Sequence, residues 1–587
     1  MRAGSCRMAS GLVDGVSREL YGEEFMPTFE QIYTPVADSL VLSTLVAAIP
    51  IVVLFVLLAG FRVAAQWASL TSLALALIIA VAVYGMPVGL ALNSTLAGIA
   101  FGLFPIVWIV INAIFIYNVI VDAGYFDTIR DSLASLSNDR RIQVVLIAFV
   151  LGALLEATAG FGTPVAITAA IMAGLGFQTL YAAALALLAN TAPVAFGGFG
   201  IPILTGAQLA QLDTMELSQM VGRQTPILAV IIPGFLVVVM AGWRRMLEVW
   251  PIVVVSGVSF AGTQYVVSNF IGPELADLLA AIVGVVAVVA LLAVWSPSEE
   301  WHFSDEPPAE EREAYERPPL GTTLLAWSPF LIIVAVFLLA QIGPIKSTLG
   351  GIESAINFPT AAPNEQGAIA VGWPGLDGQV TRQPPAVDAA APYSAKYQTN
   401  WLTAAGTLIL IADIISLAVL RVGPGRALRI YGQSLNQLKW AILTIAAVLG
   451  LAYLFNYSGM TYTLGLAFAA TGFLFPFFAT FIGWLGVALT GSDTSSNALF
   501  ANLQKTTASQ LGFSPILAVG ANSSGGVLGK MVSPQNLAVG TSATGLQGKE
   551  GDLFRLVLPW SIGLTVVMAI IVLLQAYVFP FMIPGGG

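Results

Sequence analysis

The stretch Leu155-Glu156-Ala157-Thr158-Ala159-Gly160-Phe161-Gly162-Thr163-Pro164 interrupts an apolar run where a membrane helix would otherwise continue. A lone carboxylate followed by two glycines and a proline marks a place where the chain turns. Late in the chain, Thr490-Gly491-Ser492-Asp493-Thr494-Ser495-Ser496-Asn497 does the same. Behind each turn lies a second interruption. The first is Asn190-Thr191-Ala192-Pro193-Val194-Ala195-Phe196-Gly197-Gly198-Phe199-Gly200-Ile201-Pro202. The second comprises Ala521-Asn522-Ser523-Ser524-Gly525-Gly526 and Lys530-Met531-Val532-Ser533-Pro534-Gln535-Asn536. Two hairpin tips and two unwound stretches therefore need a common explanation.

The surroundings of these segments are those of a membrane protein. Of 587 residues, 57% are hydrophobic and only 9% charged, against roughly 25% charged in soluble domains. Continuous apolar segments fall at 40–61, 67–85, 97–121, 225–242, 247–271, 275–295, 323–342, 398–420, 438–456 and 556–583, each long enough to approach the ~20 residues of a span. A net charge of −9 offers no basic stripe for a nucleic acid. One cysteine, Cys6, and one histidine, His302, make a metal centre or another cofactor site improbable. Residues 1–39 lack an apolar h-region and read as a tail rather than a cleaved signal.

Lys and Arg near the segment ends set the orientation. With both termini extracytoplasmic, Arg62, Arg130, Arg140, Arg141, Arg244, Arg245, Arg421, Arg426, Arg429, Lys549 and Arg555 all fall inside. The residues between Arg141 and Gln224 must then cross an odd number of times. A re-entrant hairpin at 142–176 and a broken span at 178–213 satisfy that count. A hairpin at 478–510 and a broken span at 514–545 do so in mirror image. The expectation is an all-α polytopic membrane protein with about twelve spanning helices plus two re-entrant hairpins in an inverted-topology repeat. Residues 40–242 form the first repeat and 323–587 the second, joined by connecting helices within 243–295 and an acidic cytoplasmic loop at 296–322. An external loop is expected at 343–397. The acidic loop, which contains His302, reads as a solvated connector.

Non-helical backbone at membrane depth must be buried in protein or line a watery cavity. Free amides at half-helix starts can receive a small anion, and freed carbonyls a cation. Thr158, Gly160, Gly162, Thr163, Asn190, Thr191, Gly198, Ser495, Asn497, Asn522 and Ser523 are candidate substrate-binding residues, an inventory that suits a small carboxylate. Lys530 could hold that carboxylate, neutralise Asp493, or snorkel to an interface. Glu156 and Asp493 are the coupling candidates, because burial favours the neutral acid that a proton carrier requires. The alternative is that either one caps a half-helix start. Asp122, Glu274, Asp277 and Asp413 read as interface or capping residues, since none lies beside an unwound segment. Phe161, Phe196 and Phe199 could wall a pocket or pack hairpin against span, with packing slightly favoured.

Bringing a monovalent anion into an inside-negative cell costs about 2.3 kcal/mol per 100 mV, and a co-transported proton removes that electrical cost. Proton symport is therefore the expectation. Sodium remains open, because Ser, Thr, Asn and carbonyl oxygens also suit a hard cation. A passive channel is a further alternative. An intramembrane enzyme is disfavoured because no nucleophile with an adjacent base appears in the spans.

The blocks Glu156 to Ile167, Asn190 to Pro202, Gly491 to Phe500 and Gly529 to Asn536 resemble those of the L-lactate permease family. The likeness extends through Ser268 to Glu274, Asn456 to Gly459 and Asp552 to Arg555, and covers nearly the whole chain from about residue 40. Ala157-Thr158 stands where Gly-Ala is more usual. The resemblance implies uptake of L-lactate, with glycolate or related 2-hydroxymonocarboxylates, coupled to protons across the cytoplasmic membrane. It also implies the ion transporter superfamily and an elevator-type movement of a substrate-carrying domain. The nearest rival is a sodium-coupled carrier of another small organic anion such as a dicarboxylate. A homodimer is compatible with either.

Overall fold

The computed structural model describes residues 28–160, 162–303, 317–357, 361–363 and 369–585. Cys6, Phe161 and most of the acidic loop lie outside the described residues.

The chain is mostly helical. Among the described residues, ten helices are long and apolar enough to cross a membrane, and an eleventh is reached if one bent pair counts as a single span. Long apolar windows without water leave the backbone only its own carbonyls to bond, so helix is the form these segments must take. Three shorter apolar helices, Thr163–Gly174, Ala276–Leu292 and Ala405–Val419, complete the set.

Several expected boundaries shift for local reasons. The segment read as continuous at 97–121 is a longer helical run, Val88–Asp122, broken at its middle. Phe104 there is extended, with φ −138° and ψ 124°. Pro105 explains this, since its ring disfavours a helical residue before it and supplies no amide hydrogen. The helix expected at 438–456 begins at Pro424 and runs to Ser458. Pro at its first turn has no hydrogen bond to lose, and Arg426 ties this polar extension to Asp122 at 2.5 Å.

The external loop expected at 343–397 is not all irregular. It contains the helix Gly343–Ile356 and, with flanking residues, two three-stranded sheets that the all-α expectation lacked. Phe29–Glu30, from the N-terminal tail, pairs in parallel with Val380–Arg382. Gln31 then donates to the carbonyls of Asn456 and Tyr457 at 2.8 and 3.0 Å, fastening this cap to the end of the long helix.

Close helix packing positions the interrupted segments. The helix Phe475–Thr490 lies against Pro515–Gly529 almost backbone to backbone. A Cβ at Gly483 would sit 1.9 Å from the Asn522 carbonyl oxygen, and one at Gly525 would sit 2.0 Å from that of Thr480. Such approach is what small residues permit between membrane helices. At the other hairpin, the buried Arg141 pairs with Asp139 at 2.6 Å and with Glu248, which anchors the base of the helical run Arg140–Thr158.

Candidate functional site

The run Arg140–Thr158 is buried along its whole length and ends at a turn where Gly160 and Gly162 are left-handed, with φ of +53° and +84°. Glu156 sits in its last turn, before the turn of the chain. The carbonyl end of a helix is partially negative and repels a carboxylate. Two donors compensate. Lys530 Nζ pairs with Glu156 Oε1 at 2.6 Å, and Asn190 Nδ2 donates to Oε2 at 2.9 Å. All three side chains are buried.

The other tip has the opposite arrangement. Phe475–Thr490 ends at the left-handed Gly491, and Ser492 caps the next helix by accepting from the Ser495 amide at 3.2 Å. Asp493 opens that helix, Asp493–Leu511, at its partially positive end. Its Oδ2 accepts from the Ser523 hydroxyl at 2.5 Å, while Oδ1 is buried with no hydrogen-bond partner among the described residues. A Cβ at Gly526 would lie 2.3 Å from Oδ1, so the carboxyl fits only over a glycine.

Both interrupted helices break where the sequence loses helical signals, and the first is bent there. Thr179–Ala189 and Val194–Ala210 meet at 62° across Asn190 to Pro193. Gly198, Phe199 and Gly200 then adopt φ of +54°, +59° and +75°. In the second helix the expectation needs correction. Ala521 to Gly526 stay helical within Pro515–Gly529, because their mostly small side chains let neighbouring helices close in without unwinding the backbone. The break falls at a tight turn over Lys530–Val532, after which Ser533 caps Pro534–Ala543 by accepting from the Asn536 amide at 3.3 Å.

These four segments enclose one cavity of about 50 Å³. Glu156 and Gly160 reach it from the first tip, and Gly491, Ser492, Asp493 and Thr494 from the second. Gly197, Gly198, Ile201 and Pro202 come from the first interrupted helix, Lys530 and Gln535 from the second. A small chamber holding two acids, one lysine and capped helix starts can receive a small anion and pass a proton.

Of the residues expected from sequence, Glu156, Gly160, Gly198, Asp493 and Lys530 line the cavity. Asn190 and Ser523 stand behind the two acids. Asn522 donates to Asn497 Oδ1 at 2.8 Å, and Asn497 donates to the Pro202 carbonyl at 3.0 Å, joining the second hairpin to both interrupted helices. Thr158 and Thr191 instead return their hydroxyls to the Leu154 and Leu188 carbonyls, at 2.9 and 2.7 Å. Gly162 faces Asn536, whose Oδ1 lies 3.3 Å from where a Cβ would be. Thr163 begins the second arm and Ser495 follows the cap of its helix; neither lines the cavity. Val194, Gly197, Ile201, Pro202, Gly491, Ser492, Thr494 and Gln535 also line the cavity and were missed, although each stands within an interrupted stretch.

Asp277 is an interface residue at a helix start, as expected, but it is not remote from the unwound stretches. Gln264 donates both to Asp277 Oδ1, at 2.7 Å, and to the carbonyl of Ala192 in the first unwound stretch, at 3.3 Å. Distance along the sequence hid this neighbour, since Gln264 lies on a helix, 72 residues after Ala192 in the unwound stretch. Phe199 stacks on Phe337 with ring centroids 6.1 Å apart, as a packing residue. No group of three or more His, Cys, Asp or Glu residues able to hold a metal exists among the described residues.

The family model described as L-lactate permease matches residues 43–579. The L-lactate permease of Bacillus subtilis (strain 168) is 46% identical over 94% of this chain and 99% of its own length. The L-lactate permease of Salmonella typhi is 45% identical, covering 95% of this chain and all of its own. The glycolate permease GlcA of Escherichia coli (strain K12) is 44% identical over the same shares. A solved structure, the Alcanivorax borkumensis YdaH transporter, aligns over 82% of this chain and 87% of that one at 15% identity and a TM-score of 0.41, a likeness too distant to carry a conclusion. A family match across nearly all the spans, with relatives matched along their full length, means that this multi-pass membrane chain belongs to the L-lactate permease family.

Proposed function

We propose that the chain takes up L-lactate, together with glycolate and related 2-hydroxymonocarboxylates, by proton symport across the cytoplasmic membrane, with both termini on the outer side. The observation that carries this reading is the Glu156–Lys530 pair at 2.6 Å in the wall of the cavity. Its family membership supplies the substrate class.

The pair makes coupling a matter of charge. An incoming carboxylate is drawn to Lys530, the cavity's cation, and competes there with Glu156. Once displaced, Glu156 keeps only Asn190 as a partner and sits at the unfavourable end of its helix. A buried carboxylate without its counterion is costly, so Glu156 takes up a proton. One anion and one proton then enter together, and the charge in the cavity is the same before and after. Asp493 is held by Ser523 with its second oxygen turned onto Gly526; in this reading a movement of the second tip around the substrate brings that oxygen to the 2-hydroxyl.

Residues 40–242 and 323–587 act in this reading as inverted repeats. Their hairpins and interrupted helices travel as one body past the runs Val88–Asp122 and Pro424–Ser458, as in an elevator. The interlocked Asn522, Asn497 and Pro202 contacts favour such a rigid unit.

Counterflow of labelled lactate in proteoliposomes, with pH and sodium gradients imposed separately and other acids as competitors, tests the reading. Accumulation should follow the pH gradient and be competed by glycolate. Accumulation driven by sodium alone, or competed only by dicarboxylates, would replace it with the sodium-coupled alternative.

A further inference from the structure

Asp277 lies in the first turn of Ala276–Leu292 and is 1% exposed. Its Oδ1 accepts from Gln264 Nε2, and its Oδ2 is buried with no hydrogen-bond partner among the described residues. Gln264 is itself fully buried on the neighbouring helix Trp250–Phe270. Its one amide nitrogen serves two acceptors, Asp277 and the Ala192 carbonyl. Two residues before Ala192, Asn190 holds Glu156. The acid is thus linked to the central ion pair through one glutamine and one unwound stretch.

Among the described residues, the elements packed against its helix bring no cation to balance it. Among the elements packed against Ala276–Leu292, the segments Val145–Leu151, Gly197–Ala210 and Leu320–Gln341 carry no titratable side chain. Trp250–Phe270 contributes Tyr265, which is largely exposed, and Gly152–Thr158 contributes Glu156. Glu274 lies in the turn just before the helix. With Lys530 paired to Glu156, a charge on Asp277 would stand buried and uncompensated, close to a second carboxylate.

We propose that Asp277 is a proton-binding site of the transport cycle, separate from the Glu156–Lys530 pair, whose occupancy sets the shape of the first unwound stretch through Gln264. The proposal rests on the proton-coupled reading above. While Asp277 holds its proton, Gln264 divides its amide between the acid and the Ala192 carbonyl, which gives the bend seen here. On release, the carboxylate becomes a much stronger acceptor. It draws the amide to itself and frees the Ala192 carbonyl, so the unwound stretch that positions Asn190 can rearrange.

Asp277→Asn keeps an acceptor for Gln264 and removes the proton. In proteoliposomes its lactate counterflow should show a flattened pH profile. Accumulation driven by a pH gradient should fall by about tenfold per pH unit, because the proton on Asp277 is carried in addition to the one that Glu156 takes up with the substrate. A profile and an accumulation ratio equal to those of the unaltered chain would overturn the proposal and leave Asp277 a permanently neutral packing group. Should the variant not reach the membrane, Gln264→Leu carries the test, because cutting the link must also move the pH profile; an unmoved profile overturns the proposal. Failure of the underlying reading looks different, since the unaltered chain would then show no accumulation under a pH gradient.

Discussion

The two hairpin tips each bring one acid to the same cavity, yet they treat it in opposite ways. Glu156 stands at the end of a helix, where the backbone repels it, and is held by a lysine and an asparagine from two other elements. Asp493 stands at the start of a helix, where the backbone welcomes it, and has a single serine partner and one free oxygen. Position relative to a helix end, rather than residue type, assigns the roles. The acid in the hostile position depends on its counterion and so responds when a substrate removes it. The acid in the favourable position needs no cation and keeps an unpaired oxygen that a movement of its tip can turn to a ligand.

Substitutions can break that contrast. The largest effect is expected from Lys530→Met, which leaves Glu156 buried without its cation. Uptake should be lost, and stability should fall by about 3–5 kcal/mol, measured as a lowered unfolding temperature in detergent. Adding Glu156→Gln to that variant should restore most of the stability and none of the uptake. Equal stability of the single and double variants would mean that the pair is not coupled in the folded protein.

Glu156→Gln alone comes next. Accumulation under a pH gradient should disappear, with expression intact, whereas unchanged accumulation would remove Glu156 from the coupling step. Asn190→Ala takes away a hydrogen bond to a charged group, worth about 1.5–3 kcal/mol. It should weaken lactate affinity, read from competition assays, and ordinary affinity would leave Asn190 a packing residue.

The smallest effect on stability belongs to Asp493→Asn, since an amide still accepts from Ser523. A loss below about 1 kcal/mol is expected, together with poorer discrimination between lactate and the same acid without its hydroxyl. A stability loss as large as that of Lys530→Met would mean that the two tips are alike after all.

Much of this was legible in the residues. Gly160, Gly162 and Gly491 mark the turns because their left-handed backbone is one that other residues rarely adopt. The clustered Asn, Ser and Gly near Asn190 and Asn522 mark where apolar helices carry polar groups inward. Other features were not legible. Phe104 breaks a segment that hydropathy reads as continuous, because an apolar count does not register the constraint of Pro105 on the residue before it. The strands around Val380 depend on pairing with Phe29, some 350 residues earlier. Asp277 resembled a helix-end cap because its link to the cavity passes through Gln264 on another helix.

What the amino-acid order determined alone was local: where backbone can bury itself in lipid, where it must turn, and which polar groups lie at those turns. Which of them meet was decided by packing. Glu156 and Lys530 are 374 residues apart, and no local preference records their contact. Only the close approach of glycine-lined helices brings the two tips and the two helix breaks around one cavity, where a single cation must serve either Glu156 or an incoming carboxylate.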